Sequence, residues 1–414
     1  VRRFTGALLA GLLVAGTTVL PGAPVLAAPT PTPSTSRSAS SDAKCVQPGV
    51  PYPEVPWGQQ RLNPDAAWPQ TRGRGVKVAV VDSGVSATHP QLRGHVLTGV
   101  SVIPGGGSAT SDCVGHGTIV AGIIAGQGEN GTGFHGVAPD ATIVPIKTLE
   151  NLDVQEGLEP RIASGIRAAV DQGAKVINLS LTTTNDSAQI RSAIEYAEAA
   201  DVVVVAAGGN QAEQGNQKQY PAAYPGVLAV AAIKKDGTRA NFSEIADYVA
   251  VAAPGADIVG PSGAGSGYVA DQKGGTSYAA PYVSGVVALV RSYYPHLNAK
   301  EVIQRVIQTA DRPGTGPNAE LGYGVVNPYR AVNAILTAND QQVAPVSPLP
   351  PPSAPGDEYG MTTAISLAVA GIVLLAGILA LIGAYVIPRG RARGWRPGRL
   401  TTVASSTRKP APKP

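Results

Sequence analysis

From about residue 57 to residue 336 the chain alternates continuous apolar runs with stretches of helical period. The runs fall at residues 76–81, 142–147, 175–181, 202–207 and 227–232, as expected of strands buried on both faces of a parallel sheet. Helical patterns occupy residues 117–125, 162–172 and 188–200. This βαβ rhythm predicts an α/β fold with a doubly wound, mostly parallel sheet and helices on both faces. Glycines and polar residues crowd the C-terminal ends of the strands, where open sheets of this kind hold their ligands. Asp82 and Asn210 fall there.

Both flanks depart from that rhythm. Arg2 and Arg3 precede an apolar stretch, and Val25-Leu26-Ala27 ends it with residues that suit signal peptidase. Residues 1–27 therefore read as a signal peptide; an uncleaved anchor is disfavoured because the run is short and interrupted by Pro21 and Pro24. Residues 361–387 carry no charge and suffice to cross about 30 Å of hydrocarbon as a helix. Asp357 and Glu358 precede this segment, whereas Arg389, Arg391, Arg393, Arg396 and Arg399 follow it. The positive-inside bias then places the C-terminus in the cytoplasm and the large domain outside the cell membrane. Residues 30–41, rich in Pro, Ser and Thr, and residues 342–356, with Leu349-Pro350-Pro351-Pro352, read as spacers. The divisions are a signal peptide 1–27, an extension 28–56, the α/β domain 57–336, a Pro-rich linker 337–360, a transmembrane helix 361–387 and a basic tail 388–414.

Composition sharpens this picture in two places. Charged residues are only 14 % of the chain against about 25 % in ordinary soluble domains, while 50 glycines and 36 prolines imply many tight loops. The net charge of +4 is accounted for by the basic tail, which would meet anionic lipid, so no nucleic-acid partner is implied. Cys45 and Cys113 are the only cysteines and both fall on the exterior side, where they are expected to pair; two free thiols are the alternative.

Three strings carry candidate chemistry. In VAVVDSGV, Asp82 leaves a buried strand on a Ser-Gly turn. In GHGTIVAGIIAG, His116 stands between glycines at the start of an apolar helix. In GGTSYAAPYVSGVVALV, Ser277 opens the most apolar helix of the domain. Each has an ordinary explanation as turn former or helix cap. Together they supply a nucleophile, a base and an orienting carboxylate, and the helix start adds N–H groups aimed at developing negative charge. The sequence shows no phosphate-binding Gly loop and no Cys/His metal spacing, so nucleotide and zinc chemistry are unsupported and no cofactor is implied; no acidic loop has convincing calcium-ligand spacing, and calcium stays open. His89, His95, His135 and His296 lack such strings and read as structural.

The order Asp, His, Ser is that of the subtilisin-like triad. VAVVDSGV, GHGTIVAGI, VINLSL, VVAAGGN and GTSYAAP all resemble subtilase motifs, in family order, from Trp57 to about Ala334. The resemblance implies a subtilisin-like serine endopeptidase with Asp82, His116 and Ser277 as triad and Asn210 as an oxyanion donor. It also places a substrate-binding edge at Ser180, Leu181 and Thr182. Many subtilases carry glycines after this Ser-Leu, whereas here Thr182, Thr183 and Thr184 follow, which predicts a narrowed pocket and selective cleavage. Gly208-Gly209 before Asn210 and Tyr278 after Ser277 are further departures that remove no catalytic atom. An α/β-hydrolase is disfavoured by the chain order and by the absence of a G-x-S-x-G elbow at Ser277.

Signal peptide, short cysteine-bearing extension, subtilase domain, Pro-rich linker, membrane span and basic tail together resemble the mycosins, proteases of type VII secretion systems. The resemblance implies polypeptide substrates exported by such a system and association with its membrane complex; a structural subunit with dispensable proteolysis is the alternative. Many mycosins carry more than one disulfide, and this chain can form one. The extension, too short for a folded inhibitory prodomain, is expected to lie over the catalytic domain, held by Cys45.

Overall fold

The structure, a computed structural model, describes residues 45–151, 157–312, 316–336 and 358–394. The expected signal peptide, the start of the extension, the linker up to residue 357 and the end of the tail lie outside the described residues.

Seven strands form one sheet: β1 (Lys77–Asp82), β2 (Val100–Ser101), β3 (Thr142–Lys147), β4 (Val176–Leu179), β5 (Val203–Ala207), β6 (Val227–Ile233) and β7 (Val251–Pro254). Their order is β2-β3-β1-β4-β5-β6-β7, and every pair runs parallel. In β1, Val78 and Val80 join one core layer while Ala79 and Val81 join the other, so the unbroken apolar run is explained by burial on both sides.

Helices α1 (Trp57–Leu62), α2 (His116–Ala125), α3 (Leu158–Asp171), α4 (Ala188–Ala199), α5 (Thr276–Tyr293), α6 (Ala299–Gln308) and α7 (Pro328–Asn333) complete the domain. Helices α2 and α5 pack on one face of the sheet with Val78, Val80, Val176 and Val205; α3 and α4 pack on the other with Ala79, Val81, Ile177 and Val204. The chain leaves β1 toward the α2 face and leaves β4 toward the α4 face. A crevice therefore opens between the C-terminal ends of two neighbouring strands, the switch point where such sheets bind ligands. By the two-residue alternation, Asp82 and Ser180 both project toward α2 and α5.

A hairpin absent from the sequence expectations, β8 (Ile258–Pro261) with β9 (Tyr268–Asp271), stands apart from the main sheet. Its glycine-rich connection masks strand periodicity. Residues 45–56 run beside it: Val50 N–H donates to Tyr268 O at 3.0 Å, Tyr268 N–H returns to Val50 O at 2.8 Å, and Ser262 Oγ donates to Gln47 O at 2.8 Å. Cys45 and Cys113 are disulfide-bonded, with Cα atoms 4.4 Å apart. Helix α8 (Glu358–Ala392) contains Ala368–Ala392, 25 residues within which an 18-residue stretch reaches a mean hydropathy of 2.6. Among the described residues it is the one helix long and apolar enough to cross a membrane.

Candidate active site

Asp82 leaves β1 fully buried and turns at Ser83-Gly84. That turn requires glycine twice. Gly84 has φ +110°, and a β-carbon there would meet Ser111 O at 2.4 Å; a β-carbon on Gly117 would lie 2.1 Å from Gly84 O. The string G-H-G thus records the close approach of the α2 N-terminus to the turn carrying Asp82.

His116 is the first residue of α2, and its ring joins the other two candidates. Nδ1 faces Asp82 Oδ1 at 2.8 Å and Oδ2 at 2.9 Å, while Nε2 lies 3.1 Å from Ser277 Oγ. Ser83 N–H also donates to Asp82 Oδ1 at 2.7 Å. Burial opposes a charged imidazole here and would lower its pKa. Asp82, by charge and hydrogen bond, with smaller contributions from Asp112 and Asp271, outweighs burial, so the His116 pKa is raised above the ordinary 6.5.

Ser277 lies in the first turn of α5, where backbone N–H groups lack the i−4 acceptors of the helix interior. Asn210 follows β5 and is oriented by its acceptor: Oδ1 receives Thr276 N–H at 2.7 Å and Thr276 Oγ1–H at 2.8 Å. The amide Nδ2 is then left on the side of Ser277; a β-carbon on Gly275 would stand 2.9 Å from Ser277 Oγ and 3.3 Å from Asn210 Nδ2. Gly275, lacking that carbon, leaves a space bordered by both groups.

Ser180, expected at the substrate edge, uses its hydroxyl internally. Its Oγ donates to Ser277 O at 2.6 Å, Asn178 Nδ2 donates to Ser180 Oγ at 2.8 Å, and Ser284 Oγ donates to Asn178 Oδ1 at 2.8 Å. This buried chain ties β4 to the first turns of α5. Leu181, Thr182 and Thr183 line one wing of a cleft of about 590 Å³ that also contains His116, Asn210 and Ser277. Gln211 and Gln219 close the same wing, joined by a 3.2 Å hydrogen bond. None of residues 45–56 lines this cleft.

Two residues of the site went unread in the sequence. Asp112, buried beside Cys113, accepts hydrogen bonds from Ser83 Oγ, Gly115 N, Thr118 N and Thr118 Oγ1 at 2.7–2.9 Å. It fixes the start of α2 against the Asp82 turn, and an acid just ahead of a helix was the available signal. Glu244 lies beneath the Asn210 loop, where its Oε1 accepts from Gln211 N at 2.9 Å and burial raises its pKa. No local pattern marks it. His89, by contrast, is held by backbone, its Nε2–H donating to Gly267 O at 2.9 Å, and His135 Nε2 lies 3.3 Å from Asp65 Oδ1.

The sequence pattern of the Subtilase family matches residues 73–324, which span β1 through the segment before α7. The chain belongs to this family of serine proteases. Mycosin-3 of Mycobacterium tuberculosis is 36 % identical over 407 residues, covering 84 % of this chain and 86 % of the relative. Mycosin-4 of the same organism is 33 % identical, covering 89 % and 88 %. Subtilisin DY of Bacillus licheniformis, at 37 % identity, covers only 66 % of this chain. Among solved structures, the MycP3 protease from the type VII (ESX-3) secretion system superposes with TM-score 0.63 at 33 % identity, over 70 % of this chain and 93 % of that one. The match to mycosins extends well beyond the part shared with the subtilisin, and the chain is a subtilase of the mycosin type.

Proposed function

We propose that the chain is a membrane-anchored, extracytoplasmic endopeptidase that cleaves proteins exported by a type VII secretion system and associates with that system's membrane complex. The observation that carries the enzymatic part is the single imidazole within hydrogen-bond distance of both Asp82 and Ser277. In this reading His116 takes the Ser277 proton as Oγ attacks the scissile carbonyl, Asp82 holds the ring and stabilises the imidazolium, and His116 then delivers the proton to the leaving amine. Asn210 Nδ2 and the Ser277 N–H receive the oxyanion. The acyl-side chain of the substrate would pair in extended form along the backbone of Ser180–Thr182.

Membrane anchoring rests on Ala368–Ala392 and on the arginines that follow the apolar stretch, with the catalytic domain outside and the C-terminus in the cytoplasm. The divisions at residues 27, 56, 336, 360 and 387 belong to the same proposal. The secretion link is suggested by the near full-length similarity to mycosins, whose structural relative is named for an ESX-3 system. Threonines at the acyl wing favour cuts at few bonds; digestion of an unfolded protein to small fragments would contradict this.

The decisive experiment exposes the purified protein to a serine-reactive phosphonate and compares it with Ser277→Ala. Labelling of the native chain and none of the variant is expected; equal labelling would remove Ser277 from its role. In cells, Ser277→Ala with intact secretion but no substrate cleavage would instead favour a scaffold function for the fold.

A further inference from the structure

Beside the cleft that holds Ser277 lies a second depression of about 570 Å³. The two share His116, Asp271, Lys273 and Tyr278, but the second contains none of the Ser180–Thr183 wall. It therefore lies on the side of His116 opposite the acyl wing. Since His116 must hand its proton to the departing amine, this is the side on which the leaving segment of a cleaved chain is held.

Val46 and Val114 form an apolar wall of this depression, each half-buried and each the residue that follows a cysteine of the disulfide. Val46 N–H donates to Cys113 O at 2.9 Å, and a β-carbon on Gly115 would come within 3.1 Å of Val46 Cγ2. Val46 is thus seated against the backbone immediately before His116. Ile119 and Tyr278 continue the apolar surface, and Tyr278 is immobilised by its hydroxyl, which donates to Asp271 Oδ2 at 2.8 Å.

We infer that Val46, a residue of the extension ahead of the catalytic domain, is a specificity-determining part of the substrate site, forming with Val114 the pocket for an aliphatic side chain at the first position after the scissile bond. The inference rests on the proteolytic reading of Ser277. The Cys45–Cys113 bond positions Val46 on the rim of the site, so the extension serves the reaction without covering the nucleophile. An open apolar wall rewards added methylene groups, and a good pocket discriminates about tenfold or more for such a change.

The test uses full-length protein and two internally quenched peptides, identical except for Leu or Ala directly after the cleaved bond, together with a chromogenic anilide that has no residue there. Both peptides compete in one reaction, so the ratio of their kcat/KM values is independent of how much variant folds. We expect the native chain to favour Leu, Val46→Ala to lower the Leu/Ala ratio about tenfold, and Val46→Leu, which fills the pocket, to reverse the preference toward Ala. The anilide, whose aryl group leaves through the same pocket, serves only to show that each variant is catalytically active. A ratio that neither variant moves, with anilide turnover intact, overturns this inference alone. Absence of anilide turnover in the native chain overturns the proteolytic reading and this inference with it.

Discussion

Replacing Asp82 by Asn removes a charge while keeping the side-chain shape, so it isolates what the carboxylate contributes. In the native structure both carboxylate oxygens face His116 Nδ1, at 2.8 and 2.9 Å, which requires that nitrogen to carry the proton and leaves Nε2 as the lone pair facing Ser277. An amide at the same place can present its NH₂ group to Nδ1, which then becomes the acceptor. The proton moves to Nε2, and the base is lost. Loss of the orienting carboxylate in such triads costs about 10⁴ in kcat, or about 5.5 kcal/mol at 1.36 kcal/mol per decade.

The pH dependence supplies an independent sign. His116 must be neutral to accept a proton, and its raised pKa puts the acid limb of kcat/KM above the ordinary imidazole value of about 6.5. In Asp82→Asn, burial still lowers the pKa while its leading opponent is gone, with only Asp112 and Asp271 remaining. The residual activity should therefore show an acid limb displaced to lower pH. Anilide hydrolysis measured across pH for the native protein and the variant tests both parts. A variant retaining more than a tenth of native activity, or a limb that moves to higher pH, would refute the reasoning.

Two further outcomes follow from the same geometry. Asn210→Leu removes the amide donor and should lower kcat by about 100- to 1,000-fold, with KM for a small substrate little changed; an equal rise in KM would point to a ground-state contact. The Cys45–Cys113 bond closes a loop with sequence separation 68, and the paired Cys45→Ser/Cys113→Ser variant should lose about 2–4 kcal/mol of stability in guanidinium titration; an unchanged midpoint would show that the hydrogen bonds of the extension suffice alone.

The sheet was legible because strands buried on both faces leave unbroken apolar runs. The expected run at residues 142–147 coincides with β3, and the other four differ at their ends by one or two residues. Helix α3 begins at Leu158, four residues before the expected pattern, because its first turn, Leu158-Glu159-Pro160-Arg161, holds a proline and two charged residues that obscure the apolar period. The hairpin β8-β9 and the Val50 pairing were illegible: they depend on contacts between segments far apart in sequence and on glycine-rich turns. Asp82, His116 and Ser277 could be named from local strings, since each needs a distinctive backbone setting. Asp112 and Glu244 act by tertiary hydrogen bonds, which leave little local trace. Ser180 shows the limit of a motif: its position was readable, but the inward direction of its hydroxyl was not.

The strand-like pairing of the extension also bears on how shortened forms of this protein would behave. With residues 45–56 absent, the N–H and C=O of Tyr268 and the carbonyl of Ser266 lose their partners, and β9 becomes a free sheet edge. Such edges recruit other chains. A form beginning at Trp57 would therefore be prone to self-association, and the segment that precedes the catalytic domain doubles as a guard against aggregation.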